Sequence, residues 1–200
     1  MEVFEAIEKR RAVKHYDPGH VISDEDCGRL LDALRLAPTA WNIQNTRIVV
    51  VKDPAQRQKL REVAFDQAQV TDASLLFVFC ADTKSWENNP GRYWQTAPEP
   101  MREQLAQMIR QYYDGREWVQ RDEALRSCGM AAQTLMLAAK SLGYDSCPMD
   151  GFDYDKVGEI VGLPENHLVA MFVAVGKGTK EAHPRGGFIP QQDAVKIDRF

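Results

Sequence analysis

The sequence has no apolar run of transmembrane length. Its longest strongly apolar stretches, Leu75 to Ala81 and Leu168 to Val175, fall far short of the roughly 20 residues a membrane-crossing helix needs, and both read as buried strands. The first residues, Met1-Glu2-Val3-Phe4-Glu5-Ala6-Ile7-Glu8, lack the basic region followed by an apolar one that marks a secretory signal, so the expected compartment is the cytoplasm. An excess of positive charge is also missing. Lys and Arg number 25 against 29 Asp and Glu, a formal charge of -4, and the two signs are interspersed, which gives no sequence-wide attraction for nucleic acid. Cysteine is sparse: Cys27, Cys80, Cys128 and Cys147 form no C-x-x-C pair and have no His at ligand spacing, so no metal site is expected. Cys27 and Cys80 sit in apolar patterns and read as buried thiols, while Cys147 has no neighbouring His to activate it. No strand leads into G-x-G-x-x-G, which disfavours a dinucleotide-binding Rossmann half. Gly176-Lys177-Gly178 lacks the Walker spacing and reads as a turn.

What is present suits one domain spanning residues 1–200. The chain is 44% hydrophobic and no Pro/Gly/Ser-rich linker divides it. Helices are expected over Glu2 to Arg10 and from a Ser23 cap to the stop at Pro38, the latter with Asp24, Glu25 and Asp26 in its first turn and a Cys27, Leu30, Leu31, Leu34 stripe. Ile48 to Val51 suits a strand, and Asp53-Pro54 opens a helix through Val63. After the Leu75 strand comes a mostly helical excursion over about 82–120. It holds Trp86, Tyr93 and Trp94 in a polar stretch and a helix from Pro100 to Tyr113. Ser127 to Leu142 shows little polar surface and reads as a helix buried on most sides. Asp155 is expected to cap a short helix ended by Gly162 and Pro164. The last strand, Leu168 to Val175, precedes a tail with no helical signal. The layout is α+β, richer in helix than in strand.

Three short segments carry candidate chemistry. Arg10-Arg11-Ala12-Val13-Lys14 places three cations within five residues. A phosphate monoester is best held by more than one cation, and Arg can donate two parallel hydrogen bonds to it; the same run also suits the basic end of a helix. Pro38-Thr39-Ala40-Trp41-Asn42-Ile43-Gln44 reads locally as a turn after a helix. Pro148-Met149-Asp150-Gly151 reads locally as a Pro/Asp/Gly turn.

Together these segments resemble the flavin-binding pattern of the nitroreductase family, and the similarity runs over nearly the whole chain from Phe4 to the tail. It implies an α+β, nitroreductase-like FMN-binding fold, with a central mixed or antiparallel sheet flanked by helices and an intertwined homodimer that builds its flavin sites at the interface. The family's N-terminal R-x-S-x-R/K segment, which binds the flavin phosphate, ribityl chain and pyrimidine edge, falls on Arg10, Ala12 and Lys14 with Arg11 between; Ala12 replaces the usual serine and leaves only its backbone to serve. The P-S-x-x-N-x-Q-P signature falls on Pro38, Thr39, Ala40, Asn42 and Gln44, reaching into the partner's flavin site, with Trp41 at the lip of a substrate pocket and Asn45 where proline is common. Pro148, Met149, Asp150 and Gly151 match the loop whose backbone N–H lies against flavin N5. Gln67 and Gln69 resemble residues on the pyrimidine side, and Arg185 the basic residue that completes the phosphate clamp. The resemblance implies hydride transfer from NAD(P)H through flavin N5 to an electron-poor acceptor such as a nitroaromatic or quinone, with no side-chain acid or base. Alternatives with the same flavin segments are an FMN-binding, storage or regulatory module without productive NAD(P)H turnover, and a family branch with another flavin reaction such as reductive dehalogenation. Tyr93, Trp94, Tyr112, Tyr113 and Trp118, together with Trp41, are candidates either for the acceptor pocket or for core and interface.

Overall fold

The computed structural model describes residues 1–200. Its elements run α1 (Val3–Lys9), α2 (Asp24–Arg35), β1 (Thr46–Val51), α3 (Pro54–Glu62), α4 (Gln69–Asp72), β2 (Leu75–Asp82), α5 (Glu99–Tyr113), α6 (Glu117–Ser141), β3 (Asp145–Met149), α7 (Tyr154–Val161), β4 (His167–Gly176) and the single turn α8 (Gln191–Ala194), with short 3-10 turns at Ala40–Asn42 and Pro90–Trp94. The four strands form one sheet in the order β1-β2-β4-β3, and every neighbouring pair is antiparallel. Of the mixed or antiparallel sheet expected, the structure takes the purely antiparallel form.

β2 shows why the sheet sits at the centre. Leu76, Val78 and Cys80 pack into a cluster with Leu60, Val70, Val157 and Phe172, on the side of α3, α4 and α7. Leu75, Phe77, Phe79 and Ala81 pack against Leu30, Leu34, Cys128 and Leu135, on the side of α2 and α6. With both faces covered, alternate residues are all apolar and the strand reads as one continuous hydrophobic run. The polar side chain of Arg57 is buried here as well. It donates to the carbonyls of Val51, Ala73 and Ser74, which ties α3 to the ends of β1 and α4.

Helix boundaries follow their chemistry. Ser23 accepts from the Asp26 N–H and Asp53 from the Ala55 N–H, both capping as the sequence suggests. Asp153, rather than Asp155, caps α7 by accepting from the Lys156 N–H. α6 starts ten residues before Ser127, because the polar turn-and-a-half from Glu117 packs Val119 and Gln120 inward without showing an apolar stripe. The tail contributes one helical turn, α8, where none was expected.

β3 was absent from the sequence-based layout. Asp-Ser-Cys-Pro-Met has no β-branched residue and contains proline, which is tolerated because β3 is an edge strand. Ser146, Pro148 and, by continuation of the pleat, Asp150 turn their main-chain groups to that open edge. The N-terminal segment uses part of it: the Val13 N–H donates to the Ser146 carbonyl at 3.0 Å, and Ala12 forms a parallel bridge to Ser146. Gly176-Lys177-Gly178 closes the same corner, where space requires glycine. A Cβ on Gly176 would lie 2.9 Å from the Ser74 nitrogen, and one on Gly178 would lie 2.6 Å from Asp145 Oδ2.

Candidate functional site

The edge of β3 gathers the first and third sequence segments. Ala12 and Val13 run parallel beside Ser146, so Lys14 lies toward the end of β3 that leads to Asp150 and Gly151, and Arg10 lies toward its start. The tail folds back onto the same place. Arg185 Nη2 donates to the carbonyls of Glu8 at 3.0 Å and Arg10 at 3.4 Å, which brings the tail's arginine to the adjacent pair Arg10 and Arg11. The Arg10 guanidinium is held below its ordinary pKa, first by partial burial and then by the like charges of Arg185 and Arg11. Neither the Arg10 guanidinium nor the Lys14 ammonium has a carboxylate partner. Arg11 is different: it donates to the His183 carbonyl and lines a separate cavity of about 460 Å³ with Lys9, Lys140 and Lys180.

Main-chain donors surround these cations. The N–H groups of Ala12, Lys14, Asp150 and Gly151 make no backbone hydrogen bond. Cys147, between the two rows, is a buried thiol raised above its ordinary pKa by desolvation, with Lys14 and Arg10 pulling the other way. Unpaired N–H groups beside a partly desolvated guanidinium make a receptor for a multiply charged anion.

Gln67 and Gln69 serve this edge as struts. Gln67 Nε2 donates to the Gly151 carbonyl at 2.9 Å and to the Ala64 carbonyl at 3.1 Å, while Gln69 Nε2 donates to Gln67 Oε1 at 3.1 Å. Gln69 is buried, so its carboxamide acts through Gln67. Phe65, absent from the sequence-based candidates, stands beside them. It is 77% exposed with a left-handed φ of 54°, and a Cβ on Gly151 would lie 3.8 Å from its ring. A bulky residue in that conformation is a strained arrangement of the kind found at binding sites. Only an aromatic side chain just after a helix signalled it in the sequence.

The second segment lies elsewhere. Pro38 to Gln44 leads into β1, at the opposite edge of the sheet from β3. Three strand spacings, roughly 14 Å, separate the edges, and Thr46 and Met149 also lie in different rows: Thr46 pairs with Ala81, which pairs with Leu168, whereas Met149 pairs with Phe172. Within one protomer the two halves do not meet. The segment is itself strained: Trp41, Asn42 and Gln44 have φ of 55°, 54° and 43°. It is held by the Gln44 N–H donating to Thr39 Oγ1 at 3.0 Å and Asn42 Nδ2 donating to the Tyr93 carbonyl at 2.7 Å. The aromatic candidates divide. Tyr113 is fully buried with Trp86 and Ile109, Trp41, Tyr93 and Trp94 pack on that cluster, and Trp118 is 68% exposed.

Surfaces that face neither core are apolar as well. Val3, Phe4 and Ile7 of α1 are exposed, as are Phe188, Ile189, Val195, Ile197 and Phe200 of the tail. No helix is long and apolar enough to cross a membrane, and no group of three or more His, Cys, Asp or Glu residues is placed to hold a metal ion.

Comparison with known proteins gives a consistent picture. The profile of the Nitroreductase family matches residues 7–177. Protein DrgA of Synechocystis sp. is 49% identical over 182 residues, covering 91% of this chain and 87% of that protein. A protein named NADH dehydrogenase from Thermus thermophilus is 32% identical over 184 residues, covering 88% of this chain and 86% of its own length. Among solved structures, a protein from Exiguobacterium sibiricum in complex with FMN superposes with a TM-score of 0.90 at 25% identity, over 98% of this chain and 97% of that one.

Proposed function

This chain belongs to the nitroreductase family, and from that premise we propose that it works as a homodimeric, FMN-dependent oxidoreductase in the cytoplasm, each chain acting as one domain. It carries reducing equivalents from NADH or NADPH to an electron-poor small molecule such as a nitroaromatic or a quinone. The observation that supports this best is the receptor at the β3 edge. Two cations without carboxylate partners and four unpaired N–H groups lie along two neighbouring stretches of chain, 10–14 and 150–151, which suits a cofactor with a phosphate at one end and a hydrogen-bonding ring at the other.

The residues fit FMN on these grounds. Arg10 and Arg185 hold the phosphate, whose charge relieves the repulsion between the two guanidinium groups. Lys14 and the Ala12 N–H face the ribityl chain and pyrimidine edge, with the backbone replacing the absent serine hydroxyl. The N–H of Asp150 or Gly151 would donate at N5, and Gln67 fixes that loop through the Gly151 carbonyl. When bound, FMN supplies two-electron hydride chemistry at N5.

The protein needs no titrating acid or base for this task. It supplies orientation, fixed dipoles and a pocket open enough for two flat molecules in turn. Thr39, Asn42 and Trp41 come from the partner subunit to form the lip, because one protomer leaves them at the far edge of its own sheet. The exposed apolar residues of α1 and of the tail are the surface a second copy covers.

The test is a visible spectrum of the purified protein, followed by anaerobic addition of NADPH and of NADH. Flavin bands that bleach support an oxidoreductase and identify its donor. A yellow protein that neither donor reduces supports a storage or regulatory module instead, and a colourless protein that FMN does not reconstitute refutes the reading.

A further inference from the structure

The excursion carries a second cationic site that the flavin reading leaves unused. A cleft of about 340 Å³ is walled by Arg92 of the Pro90–Trp94 turn and by Arg102 and Arg110 of α5, together with Asn89, Glu99 and Glu103. Arg102, Ala106 and Arg110 follow at intervals of four, so they share one side of the helix, and the small Ala106 leaves the space between the two guanidinium groups open. None of the three arginines forms an ion pair, although Glu99 and Glu103 stand in the same wall. Arg102 Nε is buried without an acceptor, an arrangement that costs free energy unless something completes it. Arg92 is preoriented: it donates to the Tyr93 hydroxyl at 2.7 Å and lies over the Tyr93 ring at 4.9 Å.

The cleft and the proposed lip of the flavin site adjoin through neighbouring residues, since Arg92 precedes Tyr93 and Arg110 lies just before Tyr112 on α5. The Tyr93 carbonyl accepts from Asn42, and the Trp41 ring packs against Tyr112 at 5.9 Å. Tyr112 faces a different side of α5 from Arg110, so a ligand that reaches both must be long, with a flat ring past Trp41 and an oxyanion among the arginines. We propose that this cleft binds a phosphate of the reduced nicotinamide dinucleotide, which makes the excursion the donor-recognition element of the enzyme. Guanidinium groups pair with phosphate oxygens through two parallel hydrogen bonds, and the open cleft makes the interaction weaken with salt. The phosphate is either the pyrophosphate common to NADH and NADPH or the 2′-phosphate of NADPH alone. This assignment rests on the reading that the protein oxidises reduced nicotinamide.

The experiment compares NADPH, NADH and the phosphate-free donor 1-benzyl-1,4-dihydronicotinamide on the FMN-loaded enzyme. Arg110→Ala, an exposed position, is expected to raise KM about tenfold for phosphate-bearing donors, with kcat and the benzyl donor unaffected. Glu103→Gln removes a competing carboxylate and is expected to lower the same KM, a change that a structural role for these residues does not produce. A rise confined to NADPH identifies the 2′-phosphate, and a rise for both dinucleotides identifies the pyrophosphate. Equal effects on all three donors, or none, overturn the proposal. Calorimetric titration with NADP⁺ and NAD⁺ tests the cleft without turnover. If the protein oxidises no donor, the functional reading fails by itself, and the cleft stands or falls on whether Arg110→Ala weakens at least one of these titrations.

Discussion

Replacing Arg10 by Ala is expected to move two quantities in opposite directions. In the apoprotein the guanidinium is partly desolvated and faces Arg185 and Arg11 with no carboxylate to balance it. Its removal takes away a repulsion, while the Arg10 carbonyl that accepts from Arg185 stays in place. The apoprotein should therefore melt no lower than wild type, within about 2 °C. With FMN bound the same side chain gains charge-assisted hydrogen bonds, each worth about 1.5–3 kcal/mol in general. Much of the group remains in water, so the lower end of that range applies, and FMN should bind roughly 10- to 30-fold more weakly. The assay is flavin-fluorescence titration of deflavinated protein, paired with a thermal melt of the same preparation. Unchanged FMN affinity, or an apoprotein destabilised as much as its FMN complex, refutes the phosphate role of Arg10.

Gln67→Ala removes two donors and one acceptor at the N5 loop, and should cost about 2 kcal/mol in thermal or urea unfolding together with weaker FMN retention; a loss of flavin without loss of stability contradicts the strut role. Gly176→Ala forces a Cβ to within 2.9 Å of the Ser74 backbone and should destabilise by at least about 1–3 kcal/mol, read as a shift in urea midpoint. Cys128 and Cys80 are pushed by burial up to about 12 and about 11. Their thiols stay protonated in the fold while the unfolded chain ionises near 9, so the stability they contribute is complete below pH 9 and falls as pH rises toward 11 or 12, at about 1.4 kcal/mol per pH unit per group. A flat urea midpoint between pH 9 and 11 counts against this. Deleting residues 187–200 removes Phe188, Ile189, Val195, Ile197 and Phe200 and should raise the dimer dissociation constant measured by sedimentation.

Legibility in the sequence followed the local strength of each signal. Ser23 and Asp53-Pro54 announced their helices because caps act within one turn, and β2 and β4 announced themselves by apolar runs buried on both faces. β3 was hidden because an edge strand pinned by a neighbouring segment needs neither β-branched residues nor freedom from proline. The start of α6 was hidden because its first turns bury few residues. At the site, the resemblance named Arg10, Lys14 and Arg185, but the free N–H edge is a property of sheet order. The strut role of Gln67 depends on a contact across 84 positions, which no local pattern records. Phe65 was missed because its strained φ is unusual for its residue type.

The central claim is that two subunits share each flavin site, and complementation tests it most directly. Arg10→Ala damages one half of the site, and Asn42→Gly damages the other while glycine tolerates the left-handed φ at that position. Each variant alone should retain FMN poorly. After the two are mixed, dissociated and reassociated, every mixed dimer should hold one intact site and one doubly damaged site, so one tightly bound FMN should reappear per mixed dimer. No gain in tightly bound FMN over the parent variants, with mixed dimers demonstrated, contradicts the shared site.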